Sequence, residues 1–426
     1  MVMKIGIYVY SDKIRKRGKE GYFDNIKYIG IRRIVSEIAE KYEICYVSHK
    51  TINEVDFVLL PIISYRDVYN FLWETKNITI KSRVIAGGPG LTNPFPLFPK
   101  VWACVLNRAE NLIQQIFNQE RLPNVIYRDN IEKIRVGQLS EFIQFTGERS
   151  GEMPKHLSEY KERHIGCVKK CYFCQYTWKN IFKKSKSHKG YRSGFNDCEN
   201  TIAELDWRVK GGGYLVTAID GLMEQSRKIV NRGNITNAAI EKTLKAFFET
   251  EIERRNLKLY CVIAYPFEKI LSMQEIIDIC KRVDRKSKKH MTIFLQCTHF
   301  VPMPLTPMES ESVNWLDGRQ RLRGRYDGHS IRLILLQHQI TSPVSALEQT
   351  FINRYRMGDN KYMDILISRR YNKLRGWEKK RVFREIIPEY YYKELNEFPS
   401  SQYCYPVYNI SAARIAYKKR IEQLLK

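Results

Sequence analysis

The N-terminal positions alternate between short apolar runs and amphipathic stretches. Residues 4–10 are dense in Ile, Val and Tyr, and they predict a buried strand. Across 25–42, Ile31, Ile34, Val35, Ile38 and Tyr42 repeat at the spacing of one helical face, with Gly30 close to the start. Further apolar runs predict strands over 43–48 and 56–62, a helix over 64–74, a fourth strand over 83–86, and a strand leading into a helix over 101–110. Strands and helices in this order imply βαβ units and a parallel sheet, so residues 1–120 are expected to form a doubly wound, Rossmann-like domain. Ligands of such sheets bind outside the carboxyl ends of the strands.

Residues 121–150 are of mixed polar composition and read as a linker with a short strand at 124–127. From 151 to 330 the alternation resumes, with strands expected over 213–222, which ends in a polar turn, over 257–268 and in the segment 291–307, and helices over 236–255 and 272–283. Pro302, Pro304 and Pro307 lie at the end of that last segment, and because proline cannot donate to a ladder they mark an exit loop. This pattern predicts a partial (β/α) TIM-type barrel with its site at the carboxyl ends of the strands. Residues 331–426 complete the α/β chain as a helical, basic C-terminal region, with apolar spacing over 330–340, 345–356, 362–375 and 410–425.

Composition narrows the function classes. At 426 residues and 43 % hydrophobic content the chain can bury several cores, and no apolar run reaches the ~20 residues that span a bilayer. The first ten residues read as a strand, without the apolar segment and cleavage site of a signal peptide, so a cytoplasmic location is expected. Ten cysteines without regular pairing suit reduced thiols better than a disulfide framework. The net charge of +26 creates a surface that attracts polyanions, nucleic acid first among them, although an AT-rich genome would also inflate lysine. Arginine, lysine and tyrosine interleave over 369–377, a composition that suits phosphates and stacked bases and equally suits a solvated helical extension.

The most specific chemistry sits at Cys167, Cys171 and Cys174, spaced C-x3-C-x2-C. Three thiolates in one short loop can reach a single metal cluster, and iron–sulfur clusters are held by cysteine thiolates. From the residues alone, three unrelated buried cysteines, or a zinc site completed by His164 or Cys198, remain open.

That spacing, with Phe173 just before the third cysteine, resembles the cluster motif of the radical S-adenosylmethionine (radical SAM) enzymes. The resemblance implies that the three cysteines hold a [4Fe-4S] cluster whose open iron chelates SAM. Reductive cleavage to a 5′-deoxyadenosyl radical would follow, fed by an electron donor such as flavodoxin or ferredoxin. Ala218 to Gly221 resemble the stretch that holds SAM, which implies Asp220 for its amino or ribose groups and Arg227 for its carboxylate. Tyr260 to Glu268 resemble the strand whose edge contacts adenine, which implies Ile263 and Tyr265, though Ala264 stands where glycine is usual. The stretch 300–307 is similar to the family's last barrel strand, and His299 lies beside it, more readily a structural histidine than a substrate contact. Arg163 is displaced from the usual position next to the first cysteine.

The N-terminal region resembles the cobalamin-binding domains that precede some radical SAM barrels. Gly87, Gly88 and Pro89 match their Gly-Gly-Pro loop and Glu110 matches a later acidic turn, whose glycines are replaced by Asn107 and Ala109. The lower-ligand histidine motif of other cobalamin proteins is absent. A cobalamin-dependent C-methyltransferase, a cobalamin-free enzyme modifying nucleic acid, and a non-catalytic nucleic-acid-binding metal protein are the resulting functional expectations.

Overall fold

The computed structural model describes residues 3–10, 29–106, 109, 112–120, 122, 125–129, 162–165, 167–179, 183–184, 191–192, 214–251, 254–322, 324–356, 358–387 and 410–425. Glu110, Cys198 and most of 121–161 lie outside these residues.

The first sheet arises from strands that are apolar on both faces, as expected for parallel strands covered on two sides. Its members are β1 (Lys4–Tyr8), β2 (Glu43–Val47), β3 (Phe57–Pro61), β4 (Arg83–Gly87), β5 (Ala103–Val105) and β6 (Val125–Tyr127). They lie in the order β2-β1-β3-β4-β5-β6, parallel except for β6. Helix α1 (Ile29–Ile38) and the short α3 (Ile113–Phe117) bury Ile34, Ile38, Ile113 and Ile116 against Phe57, Leu59 and Ile85 on one face. Helix α2 (Tyr65–Thr75) buries Val68, Phe71 and Leu72 against Val58, Leu60 and Val84 on the other. The strand at 125–127 therefore completes this sheet instead of crossing a linker, and α1 ends at Ile38, short of the expected 42.

Strand order reverses beside β1, which makes its carboxyl end and that of β3 the natural crevice. The glycine-rich turn after β4 packs into the backbone there. Gly88 has φ +122°, and a Cβ on it would lie 2.5 Å from the Ile62 carbonyl oxygen. The amide of Gly90 donates to that same oxygen at 2.9 Å.

A small sheet of β7 (Glu162–Ile165), β8 (Lys183–Lys184) and β9 (Tyr191–Arg192) precedes and follows α4 (Gln175–Lys179). The second large sheet comprises β10 (Tyr214–Ala218), β11 (Arg254–Ile263), β12 (His290–His299), β13 (Arg325–Asp327) and β14 (Ile331–Leu335), in the order β10-β11-β12-β14-β13. All neighbours are parallel except the β13–β14 pair. Helix α5 (Glu224–Ile229) follows β10, while α6 (Asn237–Phe248) and α7 (Gln274–Val283) cover one face through Leu244, Phe247, Ile276 and Ile279. The sheet is open, and no barrel closes among the described residues.

Two expectations fail here for identifiable reasons. Residues 331–335 form a strand, not a helix, because Ile331, Leu333 and Leu335 alternate inward with period two and pair with β12. The second sheet thus runs past residue 330. The helix expected over 236–255 stops at Phe248, since Arg255 belongs to β11, where its buried guanidinium donates to the Phe247 carbonyl at 3.0 Å.

After the short α8 (Gly318–Arg321), helices α9 (Pro343–Arg354) and α10 (Asn360–Ile367) lie against α2, while α11 (Arg369–Lys373) and α12 (Gly376–Arg381) reach Glu348 of α9 through Tyr371 and Lys379. Tyr69 donates to the Glu348 carbonyl at 2.9 Å, and Thr92 donates to Asn353 Oδ1 at 2.6 Å. Helix α13 (Ile410–Leu424) closes the chain. No helix among the described residues is long and apolar enough to cross a membrane.

Gly88→Ala is expected to destabilise the fold by about 3 kcal/mol, because left-handed strain adds to a backbone collision. The urea-unfolding midpoint measures it, and an unchanged midpoint would show that this turn is not packed against Ile62.

Candidate metal centre

The cysteine loop is held from within by its own following helix. Thr177 Oγ1 donates to the Cys167 carbonyl at 2.8 Å, and Trp178 Nε1 donates to the Cys171 carbonyl at 2.8 Å. The Cys174 amide closes a turn onto the same Cys171 carbonyl at 3.2 Å. From outside, the Tyr172 amide donates to the Val230 carbonyl at 3.1 Å, and Asn231 Nδ2 donates to the Lys170 carbonyl at 3.0 Å. Tyr172 and Trp178 drive the attachment by burying their rings in the core shared with the first sheet and the C-terminal helices. Helix α13 covers the loop, with Tyr417 edge-on to Tyr172 at 5.9 Å and Arg420 over the Tyr172 ring at 5.3 Å.

Cys171 is buried and Cys167 and Cys174 are half-buried. Burial pushes the Cys171 thiol well above its usual range; the Arg232 cation opposes this, while Asp220 and the two other cysteines add to it. Burial likewise pushes Cys174 up to about 11, against amide donation from Thr177 and Tyr176. Cys171 and Cys174 thus lie within reach of both Cys167 and Asp220. Among the described residues, however, no three His, Cys, Asp or Glu side chains already converge as a formed metal site.

The loop sits where β10 and β11 end. Asp220 and Tyr265 follow those strands, and Tyr265 Oη donates to the Asp220 carbonyl at 2.8 Å. Arg232 Nε donates to Asp220 Oδ2 at 2.8 Å, and both residues are buried. Phe173, Phe267 and Phe300 surround the Tyr265 ring at 5.9, 5.4 and 5.6 Å. Of the six described non-glycine residues with positive φ, five lie here: Lys170, Asp220, Asn231, Ala264 and Leu305. Each costs about 1–3 kcal/mol, and such strain gathers where function over-determines the backbone. It also explains why glycine is expected at position 264, where φ is 57°.

Arg227 is found in a different role from the one its sequence context implies. It has no solvent exposure, and its Nε donates to the Ile235 carbonyl at 2.6 Å. Its Nη1 donates to the Gly221 carbonyl at 2.7 Å, while Nη2 donates to Asn237 Oδ1. The guanidinium is occupied in fixing the loop that carries Asp220 and Arg232. Ile263 buries its side chain in the core of the second sheet, and its carbonyl accepts from the Phe300 amide at 2.8 Å. His299 is buried, burial lowers its pKa, and Nδ1 lies 3.0 Å from the Phe300 carbonyl, while its buried Nε2 has no hydrogen-bond partner among the described residues. Gly87, Gly88 and Pro89 end the first sheet, where the open sides of Gly88 and Gly90 are filled by the backbones of Ile62 and Ser64.

Arg232 and Glu268 are the residues that sequence reasoning missed. Arg232 follows a helix without periodic signal, and only the fold brings it to Asp220 and Cys171. Glu268 is buried beneath Tyr265, accepting from Ser226 Oγ at 2.5 Å and from the Tyr265 amide at 3.0 Å.

No protein-family model matches the chain, and no curated protein matches it significantly.

Burial pushes the Glu268 carboxyl up to about 7, against the pull of Ser226 and the Tyr265 and Ala264 amides. Its folded value exceeds its unfolded value near 4.5, so its contribution to stability is full below that value and fades as pH rises through 7. Relative to Glu268→Gln, the native chain is expected to lose about 2–3 kcal/mol between pH 4.5 and 7. Urea titrations of both proteins across that range measure the difference, and a constant difference would contradict the buried, proton-holding carboxyl.

Proposed function

We propose that the chain is a radical SAM enzyme in which Cys167, Cys171 and Cys174 hold a [4Fe-4S] cluster. The observation that carries this reading is the seat of the cysteine loop: three thiols within eight residues, held at the strained carboxyl ends of a parallel sheet next to the Asp220–Arg232 pair. On this reading the second sheet is a partial barrel and the first a Rossmann-like scaffold.

The donor set fits in kind, since cysteine thiolates are the ligands of such clusters. Loading requires the three thiols to lose their protons and turn toward a common point. Arg232 aids that loss by placing a cation near Cys171. When bound, cluster and SAM supply reductive cleavage to a 5′-deoxyadenosyl radical, which takes a hydrogen atom from an unactivated carbon. On this reading Asp220, held by Arg232, would accept from the amino or ribose groups of SAM. Tyr265, Phe173 and Phe300 form an apolar wall that keeps water from the reacting centre. Arg227 acts at one remove, by holding the loop of Asp220, so the SAM carboxylate is assigned to another donor.

The cobalamin-free form of this reading is favoured by one observation. Glycines that would let a ligand approach the first sheet are instead closed against Ile62 and Ser64.

Anaerobic loading with iron and sulfide is expected to give a brown protein that releases 5′-deoxyadenosine from SAM under reductant. Cys171→Ala should lose both the colour and the product. Metal analysis showing a colourless chain with one tightly held zinc would overturn the assignment.

A further inference from the structure

We propose that the face of the second sheet opposite α6 and α7 binds single-stranded nucleic acid. Leu257, Leu259, Ile293 and Leu295 point into the core under those helices, so the alternate positions of β11 and β12 face the other way. On that side the register sets Lys258 beside Phe294 and Tyr260 beside Gln296. All four are half-buried, and Thr298, further along β12, is exposed.

The same registers set Val216 and Ala218 beside Lys258 and Tyr260, and Ile334 beside Phe294, so cations and aromatic rings stand here among apolar neighbours. Tyr260 and Phe294 are diagonal neighbours on adjacent central strands, about 8 Å apart from strand spacing and rise. Aromatic rings placed on neighbouring strands of an open sheet stack successive unpaired bases, with little regard to sequence. Lys258 carries its ammonium 5.0 Å from the Tyr260 ring centre, so a base stacked on that ring brings its phosphate within reach of a cation. Gln296 Oε1 is buried without a hydrogen-bond partner. A buried acceptor left unpaired is unfavourable, and an exocyclic amine of a base is the donor that would satisfy it. The chain's charge of +26 supplies the long-range attraction for a polyanion.

The face leads along β11 toward Tyr265, whose ring lies 5.9 Å from that of Phe173 in the cysteine loop. Its role as the platform for a reacting nucleotide rests on the radical SAM reading; the binding itself does not.

Fluorescence anisotropy of labelled single-stranded RNA and DNA oligonucleotides, and of the same strands annealed to complements, tests the proposal on the full, iron-free chain. Single strands should bind more tightly than duplexes. Tyr260→Leu and Phe294→Leu should each weaken binding about tenfold. Lys258→Ala, which leaves the sheet packing intact, should reduce the salt slope by about one charge. Absence of binding, or affinities unmoved in all three variants, would overturn it, the latter by putting the strand elsewhere on the basic surface. Iron loading and SAM cleavage by native protein from the same preparation separate the two readings. Cleavage without oligonucleotide binding refutes this face alone, and binding without a cluster refutes the radical chemistry alone.

Discussion

A single guanidinium, that of Arg227, keys the region on which the candidate site depends. An arginine without solvent contact is tolerated only when its N–H groups meet oxygens, and here Gly221, Leu222, Ile235 and Asn237 supply them. Those partners span the turn after β10, helix α5 and the start of α6, so one side chain fixes the whole crossover. Breaking such a buried set costs about 3–5 kcal/mol. The crossover in turn presents Asp220, Arg232 and the Val230 carbonyl that receives the cysteine loop.

From there the constraint spreads through packing. Tyr172 and Trp178 extend the loop into a core that also contains Phe71 of α2, Phe351 of α9 and Tyr417 of α13. The first sheet, the C-terminal helices and the cysteine loop therefore share buried surface, and the C-terminal helix serves as a cover for the loop. Against this rigid surround, left-handed backbone at Lys170, Asp220, Asn231 and Ala264 can persist.

Much of the fold was legible in the chain. The β3 run 57–61 is buried throughout, and its flanking helix begins where Asp67 accepts from the amides of Ile63 and Ser64. The strand at 331–335 was misread because Ile331, Leu333, Leu335 and Leu336 satisfy helical and strand spacing alike, and only pairing with β12 decides. The cysteine spacing could be read because all three thiols lie within eight residues. Asp220 and Arg232 could not be read as a pair, since nothing local announces that a residue beyond a helix returns to the strand before it. Arg227 illustrates the same limit: its position was legible, whereas its partners are carbonyls, which leave no trace in sequence.

The central claim is that the cysteine loop is a redox cluster site that accepts SAM. Electron paramagnetic resonance of the iron-loaded, reduced chain, recorded before and after addition of SAM, tests it most directly. The account predicts a signal typical of a reduced four-iron cluster that changes shape when SAM is added and is absent from Cys171→Ala. A chain that forms no cluster signal, or one whose signal ignores SAM, would contradict it.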